Sequence, residues 1–180
     1  MARLVHITAD TDAARIRRHG IRPRRINWLI KGEDRFVWAF PVLESYTLTH
    51  QWARELKRWG RQTLAAVTFV LDDDEPVYVR HYLGEPIVAT AAEAIGLVRA
   101  VQDPRGFEIL VPRRIEPREI ASVRTLPQAV GWRYAPTFKN SERYPCECPA
   151  CAPRAEVKAR RYRERIPVIQ KRWEARRGEG

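Results

Sequence analysis

LVHITADTDAARIRRHGIRP, residues 4–23, carries a strand, a helix and a glycine stop in immediate succession. Leu4-Val5-His6-Ile7-Thr8 is short, apolar and β-branched, which predicts a strand. Thr11 or Asp12 is placed to cap a helix through residues 12–19, and Gly20 stands where a left-handed residue ends one. Ile21 and Pro23 then begin an extended segment surrounded by Arg22, Arg24 and Arg25. Alternation along the strand puts Leu4, His6 and Thr8 on one face and Val5 with Ile7 on the other. The two β-branched residues mark the core side, so His6 and Thr8 are expected on the opposite, open side. A histidine so placed is either a satisfied structural side chain or a ligand.

The rest of the chain extends this pattern. Lys31-Gly32-Glu33-Asp34 reads as a turn, and Phe36–Phe40 as a strand closed by Pro41. Leu48, Trp52, Leu56 and Trp59 recur at helical spacing, predicting one helix over 47–59 that Gly60 ends. Residues 64–71, 77–79, 107–111 and 120–126 read as strands, and Thr90 caps a helix over 91–101. The order is α+β, not a regularly alternating parallel sheet. After Leu126 the apolar periodicity fades, which divides the chain into a domain over 1–130 and a Cys-containing, basic, helical C-terminal extension over 131–180.

The chain has 180 residues, 44% of them hydrophobic, enough for a single domain with its own core. No apolar run reaches the ~20 residues that span a bilayer. The opening segment lacks a signal-peptide apolar region, so a cytoplasmic protein with reduced cysteines is expected. The net charge is +11, and residues 154–180 alone carry +6 of it. Such a balance points to an anionic partner, a nucleic acid or a phosphate-bearing cofactor, or else to an arginine-rich composition overall.

Glu108 in GFEILVP shares a strand face with Leu110, while Phe107, Ile109 and Val111 take the other. A carboxylate there is either exposed at a sheet edge or set in a cleft. In a cleft it can hydrogen-bond a ribose hydroxyl and stabilise positive charge developing on the sugar. Tyr46, in the FPVLESYTLTH junction, is either a surface ring beside an N-cap at Ser45 or Thr47, or a platform for a planar ligand.

In this order the pieces resemble the ADP-ribosyltransferase superfamily. That superfamily opens with a short strand bearing His or Arg, often HxT, then a helix and a GI or GL turn, as LVHITADTDAARIRRHGIRP does. FEILVPRRIEPREI is similar to the Glu, apolar strand, Pro and I-x-P-x-x-I step of the DarT-type nucleic-acid-modifying toxins. The NAD-dependent RNA 2′-phosphotransferases share the opening strand and turn. The resemblance covers roughly residues 4–126 and implies a split β-sheet clasping NAD. It implies Glu108 and His6 as the catalytic pair, with His6 and Thr8 on an NAD ribose and Tyr46 near the nicotinamide. Arg22, Arg24 and Arg25 are the candidates for the pyrophosphate, which an arginine fork suits. Members that modify arginine carry Gln or Glu two residues before the catalytic Glu. Here that residue is Gly106, which disfavours arginine as the acceptor. The second tyrosine expected eleven or so residues after the first is replaced at its nearest aromatic by Trp59.

The extension contributes two further motifs. Cys146, Cys148 and Cys151 have thiolate spacing that suits tetrahedral zinc, with His50 or His81 as the candidate fourth ligand; a loop of reduced thiols or an intermolecular metal are the alternatives. Arg160, Arg161, Arg163 and Arg165 alternate with Tyr162, and Trp173 follows, a pattern for phosphate contact with base stacking. The same residues also suit an amphipathic helix packing Val157, Tyr162 and Ile166 on the domain. The expected activity is NAD-dependent transfer of ADP-ribose, preferably to nucleic acid and otherwise to protein. The alternatives are an NAD-dependent RNA 2′-phosphotransferase and a non-catalytic nucleic-acid-binding module with a zinc-bound Cys cluster.

Overall fold

The computed structural model describes residues 1–30, 33–58 and 63–132. Cys146, Cys148, Cys151, Arg160, Arg161, Arg163, Arg165, Tyr162 and Trp173 of the extension lie outside them, as do Lys31, Gly32, Trp59 and Gly60. The elements are β1 (Ala2–Ala9), α1 (Ala13–His19), β2 (Arg24–Ile30), β3 (Glu33–Pro41), α2 (Tyr46–Thr49), α3 (Ala53–Arg58), β4 (Leu64–Leu71) and β5 (Pro76–His81). They continue with β6 (Ile87–Thr90), α4 (Ala91–Ala100), β7 (Phe107–Val111) and β8 (Ile120–Thr125). The fold is α+β: one open, antiparallel sheet ordered β6-β5-β7-β3-β1-β4-β8, with β2 paired to β3. No described helix is long and apolar enough to cross a membrane.

The two long edges of β1 are treated differently. Against β4 it pairs along its whole length, from Ala2 with Leu71 to Ala9 with Leu64. Against β3 it pairs in register only at Leu4–Pro41 and Val5–Phe40. β3 instead gives Val37, Trp38 and Ala39 to β7 and its N-terminal half to β2. The sheet therefore consists of a β1-β4-β8 half and a β3-β7-β5-β6 half, joined along a short seam.

Burial follows from this arrangement. Val37, Ala39, Ile109, Val111, Val77 and Val79 share one face and one core with Ala91, Ala94, Ile95 and Val98 of α4. That helix starts on a capping box, in which Thr90 accepts from the Glu93 amide and the Glu93 carboxylate accepts from the Thr90 amide. The opposite face of the same half holds a second cluster, Phe36 and Leu110 with Trp38 and Tyr78 packed against them. β1 is an interior strand buried on both sides, so Leu4 and Val5 are both buried and Thr8 is 9% exposed. The expectation that Val5 and Ile7 alone mark the core side is thereby corrected, because no face of β1 is simply open.

Other expectations are refined. The helix expected over 47–59 is two short ones, α2 and α3, because the backbone leaves helical geometry at His50 (φ −107°, ψ 25°). Gln51 turns inward and is 0% exposed, whereas Leu56, expected inside, is 43% exposed. Asp12 does not cap α1 with its side chain; its carboxylate pairs with Arg15 and accepts from Thr8 instead. β6, which carries no alternation long enough to declare itself, pairs with β5. Gly20 has a positive φ of 73° but an extended ψ of −172°. It carries the chain straight from α1 into the backbone bridge between Ile21 and Ile115.

A Cβ on Gly20 would stand 2.0 Å from the Ile115 carbonyl oxygen, while Gly96, exposed in α4, meets nothing within 4 Å. Gly20→Ala is expected to lower stability by about 1–3 kcal/mol or more. Gly96→Ala is expected to raise it by about 0.5–1 kcal/mol. Urea unfolding midpoints, with unchanged denaturant slope, check both.

Candidate active site at the seam between β1 and β3

Where the β1–β3 ladder stops, a side chain takes over. The His6 Nδ1 lies 2.7 Å from the Trp38 carbonyl oxygen. A carbonyl only accepts, so Nδ1 carries the proton and the neutral ring keeps Nε2 as an acceptor. Burial pushes the His6 imidazole below its ordinary range; the Trp38 carbonyl opposes this, Arg24 adds to it and Asp12 opposes it. These causes also place neighbours. Arg24 acts on His6 from β2, and Asp12 acts from the turn before α1, where Thr8 Oγ1 donates to it at 3.4 Å.

Trp38 also faces the other way. Its indole, on the sheet face that also carries Glu108, helps to keep the Glu108 carboxyl down, and the Arg80 Nε donates to Glu108 Oε1 at 2.6 Å. Arg80 and Glu108 are direct cross-strand partners on β5 and β7, and a second guanidinium nitrogen of Arg80 reaches the Tyr82 carbonyl. β7 lies between β3 and β5, so Glu108 is interior and 8% exposed; the sheet-edge alternative is removed. Burial pushes the Glu108 carboxyl up, and Arg80, Trp38 and His81 act against that. His6 and Glu108, from the first and seventh strands, thus lie on the two strands that flank β3.

The other expected site residues divide. Register sorts the arginines: Arg24 opposes Phe36 and shares its face, whereas Arg25 opposes Arg35 on the other face. Arg22 is exposed just after the Ile21–Ile115 bridge. Tyr46 is 51% exposed, its ring 4.2 Å from that of His50. Partial burial raises its hydroxyl and Arg124 of β8 pulls the other way. Its described neighbours are therefore His50 and Arg124, apart from His6, Trp38 and Glu108. His50 directs Nδ1 to the Tyr46 carbonyl at 2.8 Å and burial lowers its imidazole. The His81 ring packs against Tyr82 and Phe107. Among the described residues no group of His, Cys, Asp and Glu is arranged to hold a metal, and the cysteines lie outside that range.

Three residues of the site escape the sequence reading. Trp38 and Arg80 matter only through cross-strand neighbours. Gln51 holds the turn that leads to Glu108: its Nε2 donates to the Pro104 carbonyl at 3.1 Å and its Oε1 accepts from the Gly106 amide at 2.7 Å. The Trp52 indole adds a bond to the Phe107 carbonyl at 2.8 Å. The one signal for this anchor is Gly106 (φ 84°), where a Cβ would meet the His81 ring at 2.4 Å.

Both His6 and His50 are lowered by burial, so protonation favours the unfolded chain. Their contribution is present above the ordinary histidine value of about 6.5 and is lost as pH falls through the lower folded values. Melting temperature is expected to drop between pH 7 and pH 5, and to drop less in a His6→Asn/His50→Asn variant. Gln51→Leu leaves buried amide and carbonyl groups unpaired and is expected to cost about 1–3 kcal/mol in urea unfolding. No family model, curated protein or solved structure matches the chain.

Proposed function

We propose that this chain is an NAD-dependent ADP-ribosyltransferase whose split sheet takes NAD at the seam between β1 and β3. The observation that carries the reading is that His6 and Glu108, the two residues that the resemblance pairs, sit on the strands that flank β3, with the His6 ring on the Trp38 carbonyl and the Trp38 indole acting on the Glu108 carboxyl. The residues fit the substrate's chemistry. A neutral His6 with Nε2 as acceptor suits a ribose hydroxyl, and Thr8 supports it through Asp12. A carboxylate has about four acceptor positions, so Glu108 retains capacity for ribose hydroxyls beside its bond from Arg80. Arg24, which acts on His6, serves the pyrophosphate, with Arg22 and Arg25 flanking it in sequence.

In the reaction the bond between the ribose anomeric carbon and the nicotinamide nitrogen breaks, and its electron pair leaves with nicotinamide. The Glu108 anion stabilises the positive charge left on the sugar. An acceptor nitrogen or oxygen then forms the new bond to that carbon and gives its proton to solvent. The charge of +11, with +6 in residues 154–180, favours a nucleic-acid acceptor over a protein.

Nicotinamide release from NAD, measured with DNA, RNA and protein acceptors, tests the reading. Glu108→Gln is expected to lower kcat by about 100-fold or more, and His6→Ala to raise KM for NAD. Absence of release with every acceptor would overturn the proposal. Turnover confined to 2′-phosphorylated RNA, and insensitive to Glu108→Gln, would assign the phosphotransferase activity instead.

A further inference from the structure

Arg80 and Glu108 face one another on two interior strands, both side chains nearly excluded from solvent. Taking two charges out of water is costly, and apolar residues of similar size can often replace such a pair without loss of stability. The same ladder shows that this sheet face accepts apolar residues: the next pair along, Tyr78 and Leu110, is buried with Phe36. Packing therefore does not call for an ion pair at this position. Its geometry is also directional. Arg80 spends Nε on Glu108 Oε1 and a terminal nitrogen on the Tyr82 carbonyl, so the guanidinium is held at two points. Trp38, on β3 at the other side of β7, shares the sheet face of that carboxylate and helps to keep it down.

We infer that Arg80 is a positioning residue, whose guanidinium keeps the Glu108 carboxylate an anion fixed in place on the sheet face it shares with Trp38. The inference rests on the transferase reading and deepens it, because Glu108 serves the sugar cation only while it is charged. Among the described residues, the charged or titratable groups that act on Glu108 are Arg80 and His81, both from β5. From β3 comes the neutral Trp38 indole. Arg80 is the one permanent cation in this set, so removing it leaves burial unopposed by a fixed charge.

The test compares the full chain with Arg80→Met and Arg80→Lys. Two readouts are used: the pH profile of kcat/KM for nicotinamide release, and the Glu108 carboxyl titration followed by 13C NMR against Glu108→Gln. Activity needs the ionised carboxylate, so the acidic limb of the profile is expected to move to higher pH in Arg80→Met, by about 1–3 units. Arg80→Lys is expected to restore most of that shift while kcat stays reduced, since an ammonium lacks the fork that reaches Tyr82. The carboxyl titration should move in the same direction without any turnover being required. A titration unshifted in folded Arg80→Met, or a loss of activity equal at every pH, would overturn the role of Arg80. Failure of the unaltered chain to release nicotinamide would overturn the transferase reading on which it rests.

Discussion

The hydrogen-bond ladder between β1 and β3 ends after Val5–Phe40, and the organisation of the site depends on that early end. A strand that parts from its neighbour leaves carbonyls and amides to be satisfied by other means. β3 resolves this by bonding to β7 and β2, and the Trp38 carbonyl receives the His6 imidazole. The separation is thus sealed by a titratable ring instead of an amide. It occurs at the middle of an eight-stranded sheet, where the strands that carry His6 and Glu108 flank β3.

This placement is electrostatically expensive. Burial drives His6 and Glu108 towards neutrality from opposite directions, lowering the imidazole and raising the carboxyl. The surrounding groups oppose that drift. The Trp38 carbonyl favours a protonated His6, while Arg80 and the Trp38 indole favour an ionised Glu108. Further out, Gln51 ties the elbow between α2 and α3 to the turn before β7, so the helices and β7 share one fixed frame. Buried polar groups of this kind are tolerated where each finds a partner.

Much of the framework was legible in the sequence because its signals are local. β4 and β7 were delimited by predominantly apolar runs between turn residues, and α4 by its Thr90 cap. The pairing of Glu108 with Leu110 on one face also followed from alternation alone. Its burial did not, because that depends on β7 lying between β3 and β5, a fact of topology. The same limit concealed Trp38 and Arg80, whose roles exist only across strands. The break between α2 and α3 escaped because helical spacing weighs apolar positions, whereas Gln51 is drawn inward by the backbone groups of Pro104 and Gly106. For β1, hydrophobic patterning distinguished two faces where a central strand has both covered.

Trp38 serves its two partners with different parts of itself: the carbonyl to His6 belongs to the main chain, and the indole to Glu108 belongs to the side chain. Any amino acid at position 38 brings the same carbonyl, so a codon change there preserves the imidazole's partner by construction. The carboxylate's partner has no such insurance, since it is encoded in one residue type. Sequence drift at this single position would therefore erode the two arms of the site unequally, leaving the histidine's setting intact after the glutamate's has been altered.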